Sequence, residues 1–237
     1  MGESCINVDQ MFPDLPPGNI YVALTGGVES TLILYLVQKY YPKHRIIPCT
    51  YRFGDRRAWE FHKATHVAHK LGAEKVIEAG FLKNSAVMAE LLPTVHQYFN
   101  RENGVFRNVR DNDPDFIAGF TGKNTTTLDP EIITPEEQKK YLLVFEIHRP
   151  FLLLNKHETL GLYYQLGVEH LLNYTHSCQR RGNKHCGHCH ACWERVDAFD
   201  ALGKIDPAIY EDSFETVVQR VRKYFREVYP PKRGIKT

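Results

Sequence analysis

The stretch YVALTGGVESTLIL, Tyr21 to Leu34, sets two adjacent glycines between an apolar run and the first turn of a helix. A strand that passes straight into a helix presents the helix's open amide groups, and the positive end of its dipole, at the carboxyl edge of a sheet. Phosphate binds at such edges. Gly26 and Gly27 let a ligand come close to the backbone and permit positive φ, while Thr25, Ser30 and Thr31 offer hydroxyl donors. An ordinary βα turn with a glycine at its bend would use the same residues, and this stretch alone does not separate the two. The spacing is neither GxxxxGK(S/T) nor GxGxxG, so neither a Walker-type NTPase nor a dinucleotide fold is indicated.

Outward from that turn, short apolar runs alternate with segments of helical length. NIYVAL (19 to 24), RIIPCTY (45 to 51) and EKVIEA (74 to 79) are rich in β-branched or aromatic residues and read as strands. Between them, Glu29 to Tyr40 aligns Leu32, Leu36 and Tyr40, and Asp55 to Leu71 aligns Ala58, Phe61, Thr65, Ala68 and Leu71, each as a helical stripe. This βαβ rhythm predicts an α/β fold on a parallel sheet. A helix is expected over Asn84 to Phe99, running into NRENGVFRNVRDNDP and DFIAGFTGKNTTTLDP, a long functional loop around a short strand. A closing α/β portion runs through LLVFEI, a helix with Asn155 as its N-cap, and EHLLNY, and a last helix spans about Ser213 to Val228. Residues 1–175 are expected to form the nucleotide-binding α/β domain, and 176–237 a metal-binding helical region.

Composition narrows the chemistry. The 237 residues are 43% hydrophobic and 12% aromatic, enough to bury a core, which excludes a disordered chain. Thirty basic against twenty-eight acidic side chains give a net charge of +2, which supplies no electrostatic reason for an obligate nucleic-acid or membrane partner. Small molecules fit better as ligands, and a homodimer is left open. No run approaches the roughly 18 apolar residues of a membrane span, and a cytoplasmic location is expected.

Four of the six cysteines fall in SCQRRGNKHCGHCHACWERVDAF, residues 177 to 199. Cys178, Cys186, Cys189 and Cys192 include overlapping C-x2-C pairs, which let thiolates converge on one tetrahedral ion, and Gly187 gives the bend such a knuckle needs. Zinc (Zn²⁺) is the natural occupant, and a closed four-thiolate set makes it structural. Ligand count alone also admits an iron–sulfur cluster. His185, His188 and His190 interleave with the cysteines and are expected outside the ligand set.

These motifs carry a resemblance. TGGVES resembles the SGGxDS loop of the PP-loop ATP pyrophosphatases, with Thr25 for the family's Ser and Glu29 for its Asp. In order along the chain, ALTGGVESTLILYL, YRFGDRRAWEFHKATHVAHKLGAEKV, PFLLLNKHETLGLYYQLGVEHLLNYTHSC and CGHCHACWERVDAFDALGKIDP resemble the 7-cyano-7-deazaguanine synthase family. The section from about 81 to 145 is the least similar. The resemblance implies that 7-carboxy-7-deazaguanine and ammonia are converted to the nitrile with two uses of ATP, through adenylated intermediates and an amide. It further implies that Leu24, Thr25, Gly26, Gly27, Val28, Glu29, Ser30, Thr31, Tyr51 and Arg52 hold ATP and its Mg²⁺. Ser30, Glu29 and Lys123 would be catalytic, with Arg52 and Lys156 as further electrostatic partners and Asn124 near phosphate or substrate. The same loop with a cysteine metal site would also serve an amide-forming ligase or a tRNA thiolase. A non-catalytic zinc-containing binding protein is the remaining alternative.

Overall fold

The computed structural model describes residues 6–15, 17–52, 58–81, 115–117, 147–148, 150–151 and 153–228. Five strands form one sheet: β1 (Asn19–Ala23), β2 (Arg45–Arg52), β3 (Ile77–Phe81), β4 (Asp115–Ile117) and β5 (Ile147–His148). All pairings are parallel, in the order β3-β2-β1-β4-β5. β1 is therefore central, with Ile20, Tyr21, Val22 and Ala23 all buried, as a strand covered on both faces must be. The expected α/β parallel fold is observed. β4 falls in the region where a long loop around a short strand was expected, and it pairs with β1, Phe116 opposite Tyr21.

The order places the carboxyl end of β1 where the chain changes direction across the sheet. From β1 it steps outward to β2 and β3, then returns to β4 on the other side. Connections leave β1 and β4 in opposite senses at such a point and open a crevice beyond the strand ends. The glycine turn lies there.

Around the sheet run α1 (Val28–Tyr40), α2 (Ala58–Lys70), α3 (Lys156–Gln165), α4 (His190–Ala201) and α5 (Phe214–Val228). α1 buries Ile33, Leu34 and Val37 besides the expected Leu32 and Leu36, because it is covered by α3 as well as by the sheet. In α2 the buried side is Lys63, Ala64, Val67 and Ala68, whereas Thr65 points to solvent. The predicted stripe was thus rotated, since α2 turns Lys63 under the glycine turn. Asn155 caps α3 as expected: its side chain accepts the Glu158 N–H at 2.8 Å and the Glu158 carboxylate accepts the Asn155 N–H at 2.8 Å. EHLLNY becomes a 3-10 helix, Glu169–Tyr174. β3 begins three residues later than EKVIEA suggested, and the expected helix over 84 to 99 lies outside the described residues.

Two apolar clusters share α4. Ala198 and Phe199 join the main core with β1, α1 and α3, while Cys192 and Val196 join Val217 and Val221 of α5 around the cysteines.

Candidate nucleotide turn and cysteine centre

At the turn, the two glycines play different parts. Gly26 has φ +76°, and a Cβ there would stand 2.6 Å from the Lys63 Cβ and 2.7 Å from its carbonyl carbon. Only glycine fits. Gly27 caps α1 at φ −80°, so the positive φ expected at both positions is required at Gly26 alone. A Cβ on Gly27 would meet the Thr25 hydroxyl at 3.6 Å and the Glu29 carboxylate at 3.9 Å, which are ordinary contacts. Among the described residues no side chain caps α1, which leaves its first-turn amides for a ligand.

Ser30 closes the turn from inside. Its Oγ accepts the Thr25 N–H at 3.2 Å, lies 3.1 Å from the Thr25 hydroxyl and donates to the Gly27 carbonyl at 3.3 Å. Thr31 is fully buried, and both its N–H (3.1 Å) and its hydroxyl (2.8 Å) donate to the Gly27 carbonyl. It therefore has no donor left for phosphate. Leu24 and Val28 also turn their side chains into the core; the Leu24 N–H donates to the Cys49 carbonyl at 2.7 Å, and the Val28 carbonyl accepts from the Tyr163 hydroxyl at 2.5 Å. Of the turn residues, Thr25 is exposed and Gly27 and Glu29 are half-buried, whereas the others are buried. Tyr51 and Arg52 end β2 at the same sheet edge, just beyond the Ala23–Cys49 pairing. Lys123 and Asn124 lie outside the described residues.

A cation that the structure brings to the turn is Lys156. Its Nζ is 3.1 Å from the Glu29 Oε1 and 2.8 Å from the Glu194 Oε2 of α4. Burial works against its charge, but the Glu29 and Glu194 carboxylates more than offset that and hold the amine above the ordinary lysine range. His190 Nδ1 lies 3.5 Å from the other oxygen of Glu194. Sequence spacing gave no sign of Glu194, which stands two places past the last cysteine.

The cysteine centre lies behind the turn. The Sγ atoms of Cys178, Cys186, Cys189 and Cys192 all fall within 4.8 Å of one another, with separations of 3.4 Å (Cys189 to Cys192) and 4.0 Å (Cys186 to Cys192, Cys178 to Cys189). This group could hold a metal ion. Backbone amides of Arg180 and Cys186 donate to the Cys178 sulfur, and that of His188 to the Cys186 sulfur, each at 3.4 Å, which favours thiolates. Gly187 makes the bend at φ +67°, and a Cβ there would be 2.9 Å from Val217. His185 is buried beside this group, and its imidazole is pushed down to about 3 by desolvation and by Arg195. His190 is exposed. Cys49 is fully buried, its thiol raised by desolvation and donating to the Val22 carbonyl at 3.4 Å.

A buried ion pair ties centre to turn. Arg195 grips Asp206 at 2.6 and 2.8 Å, Tyr210 donates to the same carboxylate at 2.6 Å, and the Arg195 Nη1 donates to the Thr175 hydroxyl at 2.7 Å. Next in the chain, the His176 N–H donates to the Gly26 carbonyl at 2.8 Å. Lys63 adds a 3.4 Å bond to the Cys178 carbonyl. Arg195 and Asp206 both lie in the CGHCHACWERVDAFDALGKIDP run, whose spacing alone did not show that they meet.

A parallel sheet with a glycine turn at its switch point, backed by a four-cysteine group, defines an α/β protein of the parallel-sheet class. The chain is similar to the 7-cyano-7-deazaguanine synthase family, as its motifs indicated. Residues 106–203 match the family model described as queuosine biosynthesis protein QueC. That span takes in much of the section that looked least similar. A 7-cyano-7-deazaguanine synthase of Caldicellulosiruptor saccharolyticus is 27% identical over 215 residues, covering 80% of this chain and 94% of that protein. One from Chromobacterium violaceum is 26% identical over 226 residues, covering 79% and 92%. Among solved structures, the U34-tRNA thiolase NcsA from Methanococcus maripaludis with its 4Fe-4S cluster overlaps 92% of this chain and 76% of its own at 16% identity and a TM-score of 0.41. The NH3-dependent NAD synthetase of Campylobacter jejuni overlaps 92% and 89% at 11% identity and a TM-score of 0.38. Neither overlap bears on what this chain binds. No helix among the described residues is long and apolar enough to cross a membrane.

Proposed function

We propose that this chain is an ATP-dependent ligase of the 7-cyano-7-deazaguanine synthase kind, forming the nitrile from 7-carboxy-7-deazaguanine and ammonia. The observation that carries the reading is the uncapped start of α1, opened by Gly26 and Gly27 at the point where the sheet order reverses. A carboxylate is a poor electrophile, so its oxygen must first be esterified to the α-phosphorus of ATP with loss of pyrophosphate. Charge builds on that leaving group, and amides fixed in advance stabilise it without reorganising. Gly27 and the first-turn amides of α1 serve there, with Thr25 at the rim and Ser30 holding the turn's shape. Ammonia then attacks the acyl carbon and expels AMP, giving the amide. A second ATP adenylates the amide oxygen, and loss of AMP with the amide protons leaves the nitrile. Mg²⁺ enters with each ATP as part of the substrate.

Zinc suits the cysteine group. A tetrahedral ion about 2.3 Å from each sulfur sets the sulfurs roughly 3.8 Å apart, close to three of the separations here, 3.4 to 4.0 Å, with every pair within 4.8 Å. The larger iron–sulfide cube needs wider spacing. Zinc supplies the four thiolates with one shared counter-charge and so contributes folding stability. A thiolase would need a reactive cysteine away from this group; buried Cys49, engaged with Val22, is poorly suited to that work.

Incubation with Mg²⁺-ATP, ammonia and 7-carboxy-7-deazaguanine, followed by mass analysis, is expected to show AMP, pyrophosphate and a product lacking two oxygens and gaining one nitrogen relative to the acid. Accumulation of the amide, heavier by one water, would make the protein an amide-forming ligase instead. Absence of AMP would overturn the adenylation chemistry.

A further inference from the structure

Residues 175–178 run from the glycine turn to the first cysteine of the metal group, and every one of them is held from outside the segment. The Thr175 hydroxyl accepts from the Arg195 Nη1 at 2.7 Å, and the His176 N–H donates to the Gly26 carbonyl at 2.8 Å. The Ser177 N–H donates to the His185 Nε2 at 3.1 Å, while its hydroxyl accepts from Arg195 at 3.4 Å. Cys178 gives its sulfur to the metal group and its carbonyl to the Lys63 amine, 3.4 Å away. The other end of Lys63 lies against the turn: its Cβ would stand 2.6 Å from a Cβ built on Gly26.

The segment has little slack. Two extended residues span about 7 Å at most, so His176 cannot stay in place while Cys178 moves far. Cys178 is fully buried, and Gly26 is pressed against α2, so neither end has free space in which to absorb a shift. Close-packed segments of this kind pass displacements on. A metal ion shared by the four sulfurs fixes where Cys178 stands, and a polyphosphate on the first-turn amides of α1 fixes the Gly26–Gly27 turn. One short strap thus has a ligand setting each of its ends.

Resting on the nucleotide reading of the turn, we propose that residues 175–178 couple the two sites. A metal ion on the cysteines raises the affinity of the glycine turn for Mg²⁺-ATP, and by linkage Mg²⁺-ATP raises the affinity of the cysteines for the metal by the same factor.

The test is equilibrium titration of the full chain in both directions. Calorimetry gives the Mg²⁺-ATP affinity of the zinc-loaded chain and of the chain freed of zinc by chelation and gel filtration. Competition with a chromophoric zinc chelator, with Mg²⁺ in excess over ATP, gives the zinc affinity with and without the nucleotide. Circular dichroism of the metal-free chain verifies that its helices persist. Both directions should show one factor, on the order of tenfold. Lys63→Met keeps a stem against Gly26 but removes the amine bonded to the Cys178 carbonyl, and it should shrink the factor in both directions with zinc still bound. Ser177→Gly, which cuts the Arg195 bond and loosens the strap, should act the same way and guards against a folding defect in either variant. Asp200→Asn, whose carboxylate pairs with Arg222 at 2.6 Å, should leave the factor unchanged. The proposal is overturned if zinc removal leaves the Mg²⁺-ATP affinity unchanged, or if Asp200→Asn shrinks the factor as far as the strap variants do. Loss of the helices from the metal-free chain overturns it too, because folding and not the strap would then link the sites. A zinc-loaded chain that binds no Mg²⁺-ATP would overturn the nucleotide reading itself, and this inference with it.

Discussion

Gly26 and Gly27 sit side by side in sequence yet answer to different demands. Gly26 is pressed against the α2 backbone at positive φ, so its requirement is structural. Gly26→Ala should cost about 2 to 4 kcal/mol from the left-handed backbone and the overlap with Lys63, visible as a lower urea midpoint. Gly27→Ala should leave that midpoint unchanged, because its φ suits any residue and its nearest neighbours are 3.6 Å or more away. If the turn cradles polyphosphate, Gly27→Val should abolish Mg²⁺-ATP binding with metal content and fold intact. Its effect comes from filling the phosphate space, since no unusual φ is at stake there. A Gly27→Val protein that binds ATP like wild type would place the nucleotide elsewhere.

At the scale of elements, α4 joins the cysteine group to the surroundings of the glycine turn. Cys189 caps it, Cys192 lies in its first turn, Glu194 pairs with Lys156 and Arg195 locks to Asp206. One zinc per chain is expected by elemental analysis. Because the unfolded chain has no preformed site, prolonged chelation should lower the thermal midpoint and expose α4 amides to hydrogen exchange. Protection of α4 unaltered by metal removal would contradict this. Gly187→Ala, by forcing the knuckle away from Val217, should weaken metal retention without touching a cysteine.

At the scale of the whole molecule, the Arg195–Asp206 pair couples the two apolar clusters, and its loss should be felt globally. Burial alone would raise the Asp206 carboxyl, but the Arg195 guanidinium, the Tyr210 hydroxyl and the Ala208 amide more than offset this and hold it below the usual carboxylate range. Its folded pKa is thus below the unfolded value of about 3.9. The unfolded chain binds the proton first as pH falls, so the stabilisation is fully present above about pH 4 and is lost as pH drops through the folded value. Asp206→Asn, leaving Arg195 buried without its counter-charge, should cost about 3 to 5 kcal/mol near neutral pH. Urea unfolding across the acid range should show the wild-type advantage shrinking below pH 4. A constant gap between the two proteins would mean that this carboxylate does not titrate as described.

Much of what depends on near neighbours in the chain was legible in the sequence. The strand-to-helix turn, the alternation of apolar runs with helical segments, the Asn155 cap with Glu158 three places on, and the spacing of four cysteines are all periodicities or short offsets, and the structure shows each of them. The family likeness followed from their order. Tertiary structure alone decided which groups meet across long separations. It set β4 beside β1, rotated α2 so that Lys63 rather than Thr65 lies inward, and divided the work between Gly26 and Gly27. It also drew Glu29, Lys156 and Glu194 from three different helices to one point. Spacing records the repeat of a single helix or strand, whereas the meeting of charges from three helices depends on how their buried faces pack, which no local period encodes.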